Sequence, residues 1–331
     1  LKLKLHILFF ILCSHTAMAQ NVEIDGIARD TSFTVYSAYT KELKKRPYIE
    51  IAQPQLPENV KAIEHIPYSN PSPNRNLSLH IYRPDDECRY PALLMVHGGG
   101  WTSGSLSMQM PMAQQIASKG YVAIPVEYRL SPEVLYPAAV HDLKTAVRWV
   151  RANAEEYGID TTKIAISGCS SGGHLAMLIG MTNSQPAYEG NGEYAKYQSN
   201  VHAVINIDGI SDFSTDELNA ARESLSKNKI PASIKWLGAT YEEDKNKWEE
   251  ASPVNHITEY SAPVCFINSS IPRFHGGRDE AIRKLSTYNI HTEVHTIDDT
   301  PHPFWLFHPW FGITVNYTVG FLDKVLKMKK M

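Results

Sequence analysis

Cysteine is scarce in this chain: four in 331 residues, with one of them, Cys13, among the first twenty. The other three, Cys88, Cys169 and Cys265, cannot close a framework of paired disulfides. Cys169 and Cys265 fall in a turn and an apolar run, where a thiol packs as a small hydrophobe. No spacing of His, Cys and Asp resembles a metal site, and no metal or other cofactor is expected. Neither sign of charge dominates: 32 Lys and Arg stand against 35 Asp and Glu, a net −3, which offers nucleic acid no basic field. There is no internal repeat and no low-complexity tract, leaving a globular chain long enough for one large α/β domain or two small ones.

A membrane-spanning run is missing too, since the apolar stretch at residues 5–12 falls short of the roughly 20 residues that a spanning helix needs. Its flanks give it another meaning. Lys2 and Lys4 precede it and Ala17-Met18-Ala19 follows it, ahead of Gln20. These are the charged, apolar and small-x-small parts of a secretory signal peptide, so residues 1–19 are expected to be removed. Leu12, before Cys13, is large where a lipoprotein signal carries a small residue. The mature chain is expected to be secreted or periplasmic, with no membrane contact after cleavage.

Residues 20–57 read as an N-terminal arm. Val22-Glu23-Ile24 looks extended, residues 33–45 helical, and Pro47, Pro54 and Pro57 interrupt the rest of the arm. Such an arm either packs over an active site or serves as a linker. From 58 to 331 the pattern is regular. Residues 63–67 and 77–83 alternate like antiparallel edge strands, while 92–96 is continuously apolar like a buried parallel strand. Residues 109–118 read as a helix and 121–126 as the next strand. In the helix predicted at 136–154, Val140, Leu143, Val147 and Val150 share one stripe, with Lys144, Arg148 and Arg151 largely off it. Strands at 201–208, 263–267 and 291–297 and a closing helix at 315–326 complete an α/β pattern: a mainly parallel sheet covered on both faces. Residues 183–200 and 213–257 break the alternation. Insertions after strands lie above the carboxyl ends of the sheet, so 213–257 is read as a small helical cap.

The chemistry centres on Gly168-Cys169-Ser170-Ser171-Gly172-Gly173, between the β-branched run Lys163-Ile164-Ala165-Ile166-Ser167 and the apolar segment starting at His174. Gly-x-Ser-x-Gly at a strand-to-helix turn is a nucleophile elbow, which makes Ser170 the candidate nucleophile; a side chain at Gly168 or Gly172 would collide with its neighbours. His97-Gly98-Gly99-Gly100-Trp101 follows the strand at 92–96. Its glycines let backbone N–H groups approach a reacting carbonyl, and Gly99, Gly100 and Ser171 are the candidate oxyanion donors.

These two motifs, with Glu127-Tyr128-Arg129-Leu130-Ser131-Pro132-Glu133 and Tyr136-Pro137-Ala138-Ala139-Val140-His141-Asp142, resemble the hormone-sensitive-lipase-like esterases. Within them the chain is most similar to bacterial acetyl-xylan and feruloyl esterases. The resemblance covers residues 91 to about 178 and weakens beyond. It implies an α/β-hydrolase fold and carboxylic-ester hydrolysis without a cofactor. Glu127, Arg129 and Asp142 are read as structural charges. His302 follows a predicted strand and matches the family's catalytic histidine, while His291, His295 and His308 read as packed or surface residues.

The family's acid is missing. Its place falls at Ile271 or Pro272, and residues 268–278 contain no carboxylate. Two candidates stand in: Asp208, ending an apolar strand where an unpartnered carboxylate is costly to bury, and Asp279, in the expected first turn of a helix where acids are common for dipole reasons. Aromatics and donors nearby make Trp101, Arg273, His275 and Trp305 candidate substrate contacts, Arg273 through its carboxylate-matching fork. This tail is similar to secreted hydrolases that act on pectin. The expected substrate is therefore an esterified plant cell-wall polysaccharide or oligosaccharide, with the methyl ester of galacturonate first and acetyl-xylan or feruloyl esters as alternatives. The missing acid also fits a non-catalytic glycan-binding protein.

Overall fold

The computed structural model describes residues 21–24, 26–213 and 218–327. The expected signal peptide and residues 214–217 of the cap lie outside them. The chain opens with a hairpin of β1 (Asn21–Ile24) and β2 (Ile27–Asp30), then helix α1 (Val35–Leu43) and a short strand β3 (Glu50–Ile51). Thr34 caps α1, its side chain accepting from the Ser37 amide at 3.0 Å and satisfying a donor that the first turn leaves open.

The central sheet starts with β4 (Val60–Ser72), β5 (Arg75–Pro84) and β6 (Tyr90–Val96). Helix α2 (Met110–Ala117), β7 (Val122–Val126), α3 (Ala138–Ala152), β8 (Ile159–Cys169), α4 (Ser171–Met181) and β9 (Ala203–Ile207) follow. The cap contributes α5 (Leu218–Ser226), α6 (Ala232–Leu237) and α7 (Lys245–Glu250). The chain returns through β10 (Val264–Asn268), α8 (Arg278–Thr287), β11 (Thr292–Thr296), β12 (Phe307–His308) and α9 (Trp310–Leu322). The eight strands are ordered β11-β10-β9-β8-β6-β7-β5-β4. Only the β4–β5 and β5–β7 pairings are antiparallel.

Continuous apolar runs are what a parallel sheet covered on both faces requires. Leu94 and Val96 of β6 join one core with α3 and α4, and Leu93 and Met95 join the other with α2 and α9. The predicted stripe of α3 is fully buried at Val140, Leu143, Val147 and Val150, each contributing about 1.5–3 kcal/mol by leaving water. Lys144 and Arg148, expected off the stripe, are buried as well. The segment after α4 lies over them: Lys144 donates to the Thr182 carbonyl at 2.9 Å, and Arg148 pairs with Glu189 at 2.7 Å. A buried cation needs such partners, so the polar insertion at 183–200 is pinned to α3. Arg151 donates to carbonyls at its far end. The closing helix begins five residues before the predicted 315, directly after Pro309.

Glu127 and Asp142 hold the region around the glycine loop in ion pairs, Arg75–Glu127 at 2.9 Å and Arg129–Asp142 at 2.7 Å. The arm folds back on the domain: β3 pairs with β12, just beyond His302, and Arg46 pairs with Asp299 at 3.1 Å. Among the described residues no helix is long and apolar enough to cross a membrane. Cys169 and Cys265 are buried and Cys88 is exposed.

Candidate active site

Ser170 sits at the end of β8 with φ 55° and ψ −122°, backbone values that a serine adopts only when its surroundings enforce them. The enforcement is steric. A Cβ on Gly168 would lie 2.0 Å from the Gly172 carbonyl oxygen, and one on Gly172 2.3 Å from that of Val96. The turn is further held by the Ser170 amide, which donates to the Ile207 carbonyl at 2.8 Å.

Two loops converge on this turn. Ser170 Oγ lies 2.7 Å from His302 Nε2, and His302 Nδ1 lies 2.8 Å from Asp208 Oδ2. Asp208 ends β9 with φ 52°, a left-handed conformation that aspartate tolerates better than most residues. Its carboxylate is fully buried, and Oδ1 accepts from the Ser269 amide at 2.8 Å. Burial pushes the Asp208 pKa up, but the facing His275 and His302 and the Ser269 side chain outweigh it and leave the group below its ordinary value. Burial likewise pushes the His302 imidazole down; Asp208 opposes this, while the charges of Arg273 and Lys41 add to it, and the net shift is downward. Asp279 lies elsewhere, 83% exposed with Arg278 at 2.8 Å.

The glycine loop approaches the turn from the β6 side. A Cβ on Gly98 would sit 2.7 Å from the Cys169 carbonyl oxygen and 3.1 Å from Ser170 Cβ, so only glycine permits this contact. Gly99 and Gly100 both have positive φ. Among the described residues no hydrogen bond occupies the N–H groups of Gly99, Gly100 or Ser171. Gly100 and Ser171 line the same cleft as Ser170. Donors aimed where an oxyanion forms need no reorganisation at the moment of reaction.

The four candidate substrate contacts separate. Arg273 lines the cleft, its guanidinium 4.8 Å above the Phe274 ring. Trp101 is largely buried: its indole N–H donates to His174 Nδ1 at 3.1 Å and its ring stacks on Trp236 of α6 at 5.2 Å. It thus ties the cap to α4 while still lining the cleft. His275 turns inward, with Nε2 3.6 Å from Asp208 Oδ1 and no hydrogen-bond partner. Trp305 is buried with its ring perpendicular to that of His302 at 5.2 Å, buttressing the histidine. Phe274, not singled out from sequence, lies flat on His302, ring centroids 3.4 Å apart. His174 was overlooked as well, although a histidine opening an apolar helix is the signal to look for. It is fully buried, with Nε2 2.8 Å from the Ala251 carbonyl. Burial pushes its pKa down to about 4, so it remains neutral, an uncharged link between cap and elbow.

Comparison with known proteins places the chain. Residues 79–293, well over half of it, match the BD-FAE family model. The chain belongs to the BD-FAE family. It stands on the esterase branch of the α/β-hydrolases. It is 32% identical over 207 residues to "Esterase LipC" of Mycobacterium tuberculosis, covering 61% of this chain and 48% of that protein. "Esterase LipQ" of the same organism is 30% identical over 222 residues, covering 66% and 49%; the chain thus spans about half the length of these relatives. Thermogutta terrifontis esterase 2, solved phosphonylated by sarin, is 26% identical with a TM-score of 0.67, covering 84% of this chain and 99% of that one. A truncated carbohydrate esterase from gut microbiota shares the fold at TM-score 0.67 and 21% identity, covering 81% and 99%. The BD-FAE match ends within β11, so Asp208 falls inside it and His302 beyond it.

Proposed function

We propose that this BD-FAE protein is a secreted or periplasmic serine carboxylic-ester hydrolase acting on esterified plant cell-wall polysaccharide, with the methyl ester of galacturonate as its leading substrate. The observation that carries the hydrolytic reading is the hydrogen-bonded chain Ser170–His302–Asp208 beside the glycine loop. It also weighs against a protein that only binds glycans. In this reading His302 takes the Ser170 proton as Oγ attacks the ester carbonyl, and the N–H groups of Gly99, Gly100 and Ser171 hold the oxyanion. His302 then protonates the departing alcohol, and water attacks the acyl-enzyme with His302 again as base. Asp208 fixes the Nδ1–H tautomer and stabilises the imidazolium. The esterase names of the relatives support the reaction class.

The cleft over Ser170 supports the choice of substrate. Its volume is about 500 Å³, and one wall is the cap. Lys227, Lys229 and Arg273 line it, with Lys227 paired to Glu223 at 2.5 Å and Asp208 buried at its base. A polyuronate carries a carboxylate on each unesterified unit, and such cations attract it. With purified mature protein, methyl-esterified pectin is expected to release methanol, with acetylated xylan releasing no acetate. Acetate without methanol would return the protein to acetyl-ester chemistry. Neither product, with no release of ferulate, would overturn the polysaccharide reading.

The pH profile provides a further check. Neutral His302 is the competent base, and its pKa is depressed, so the acid limb of kcat/KM should have its midpoint below the ordinary histidine value of about 6.5. Arg273 disfavours the imidazolium, so Arg273→Gln should move that limb to higher pH. A limb that moves down or stays fixed would show that the guanidinium charge does not reach the base.

A further inference from the structure

A second groove reaches the catalytic histidine beside the N-terminal arm. It lies between α1 of the arm and the His302 loop, has a volume of about 690 Å³, and includes Phe33, Lys41, Lys45, Phe274 and His302 in its lining. Phe274 lines the cap cleft as well, so the two grooves adjoin along the ring that covers His302. Phe33 is half-buried and offers flat apolar surface, while Lys41 and Lys45 are exposed. Glu42, also in this lining, is engaged by Arg46 at 3.1 Å. Among the described residues neither Lys41 nor Lys45 has a carboxylate within 4 Å, the ion-pair limit.

An ester carried in the interior of a polymer has chain on both sides. Bringing that ester to Ser170 therefore requires room, and compensating charge, on both flanks of the triad. A cleft on the cap side alone would admit chain ends. Lysines line both grooves and Phe33 offers an apolar face in the second, the combination that holds an acidic sugar chain: rings on apolar faces, carboxylates on ammonium groups. We infer that the groove between α1 and the His302 loop is a second uronate-binding subsite, so that an acidic polysaccharide lies across the triad from the cap cleft to Lys41 and Lys45. This rests on the uronate-ester reading and extends it from a single ester to the path of the polymer. It also gives the N-terminal arm a role as one wall of the binding surface.

The test is direct binding of an unesterified oligogalacturonate, which cannot be turned over, measured by calorimetry at low salt. The full mature protein is compared with Lys41→Glu/Lys45→Glu and with Lys61→Glu/Lys119→Glu. The second variant makes the same charge change at exposed positions, before β7 and at the start of β4, at the opposite end of the sheet from Ser170. Wild type and the distal variant are expected to bind alike. The α1 variant should bind about tenfold or more weakly, with the difference shrinking in high salt. An unchanged melting temperature separates lost binding from lost fold. Equal affinity in all three proteins, or equal weakening in both variants, would overturn the subsite, as would failure of the wild type to bind. Binding that depends on Lys41 and Lys45 in a protein that releases no methanol would leave the subsite standing and overturn the methyl-esterase reading instead.

Discussion

Ser170→Ala is expected to abolish ester hydrolysis, lowering kcat by roughly 10⁶-fold on a chromogenic short-chain ester while the fold persists. The variant loses only Oγ. The elbow is held by glycine contacts and by the Ser170 amide on the Ile207 carbonyl, none of which uses the hydroxyl, and alanine meets the same backbone demand at φ 55° as serine. His302 and Asp208 remain but have nothing to activate. Substrate affinity should survive, since the cleft walls are unchanged. Stopped-flow measurement of product in the first turnover is the decisive readout, because a burst in the variant would mean that another group carries the acyl chain. Turnover within tenfold of wild type would remove Ser170 from the mechanism.

Asp208→Asn is expected to cost about 10⁴-fold in kcat, the scale on which a triad responds when its histidine is held in the wrong tautomer. The carboxylate accepts on both oxygens, from His302 through Oδ2 and from the Ser269 amide through Oδ1. An asparagine has one acceptor oxygen for these two donors. If its carbonyl faces His302, its NH₂ meets the Ser269 N–H. If the carbonyl faces Ser269, the NH₂ faces His302 Nδ1 and forces the ring to carry its proton on Nε2, where it blocks acceptance from Ser170. Either arrangement damages the site without enlarging any cavity, so circular dichroism should match wild type. Asp279→Asn, at an exposed position, should retain nearly full activity. Near-normal turnover in Asp208→Asn, or collapse in Asp279→Asn, would sink the assignment of the acid.

The parts of this molecule that were legible in sequence are those set by local rules. Strands β6 and β7 are continuously apolar because both faces are covered, and the elbow glycines announce a turn that no other residue fits. His302 could be located because it follows the last sheet strand. What sequence left open was settled by long-range contacts. Of Asp208 and Asp279, it is the one farther from His302 in sequence, by 94 residues, whose carboxylate reaches the ring. Lys144 and Arg148 fell on the presumed wet side of their helix until the 183–200 segment supplied Glu189 and a carbonyl. Trp101, His275 and Trp305 carry sugar-binding chemistry by type, yet each spends it on packing, against Trp236, Asp208 and His302 in turn. Phe274 reads in sequence as an aromatic beside a cation near the site, and its ring lies instead on His302.

Moving the acid to the end of β9 has a consequence for the neighbouring loop. With Asp208 contributed from one strand over, the segment from Asn268 to Arg278 supplies the triad with a backbone amide at Ser269 and with ring contacts, but with no carboxylate. A backbone amide is offered by any residue except proline. The stretch between Ser270 and Phe274 is thereby released from the identity constraint that a catalytic side chain would impose, while still reaching the cleft through Arg273. It is a place where substrate preference can be rewritten without replacing a side chain of the triad, and where variants of Ile271 and Pro272 should yield altered selectivity at preserved turnover.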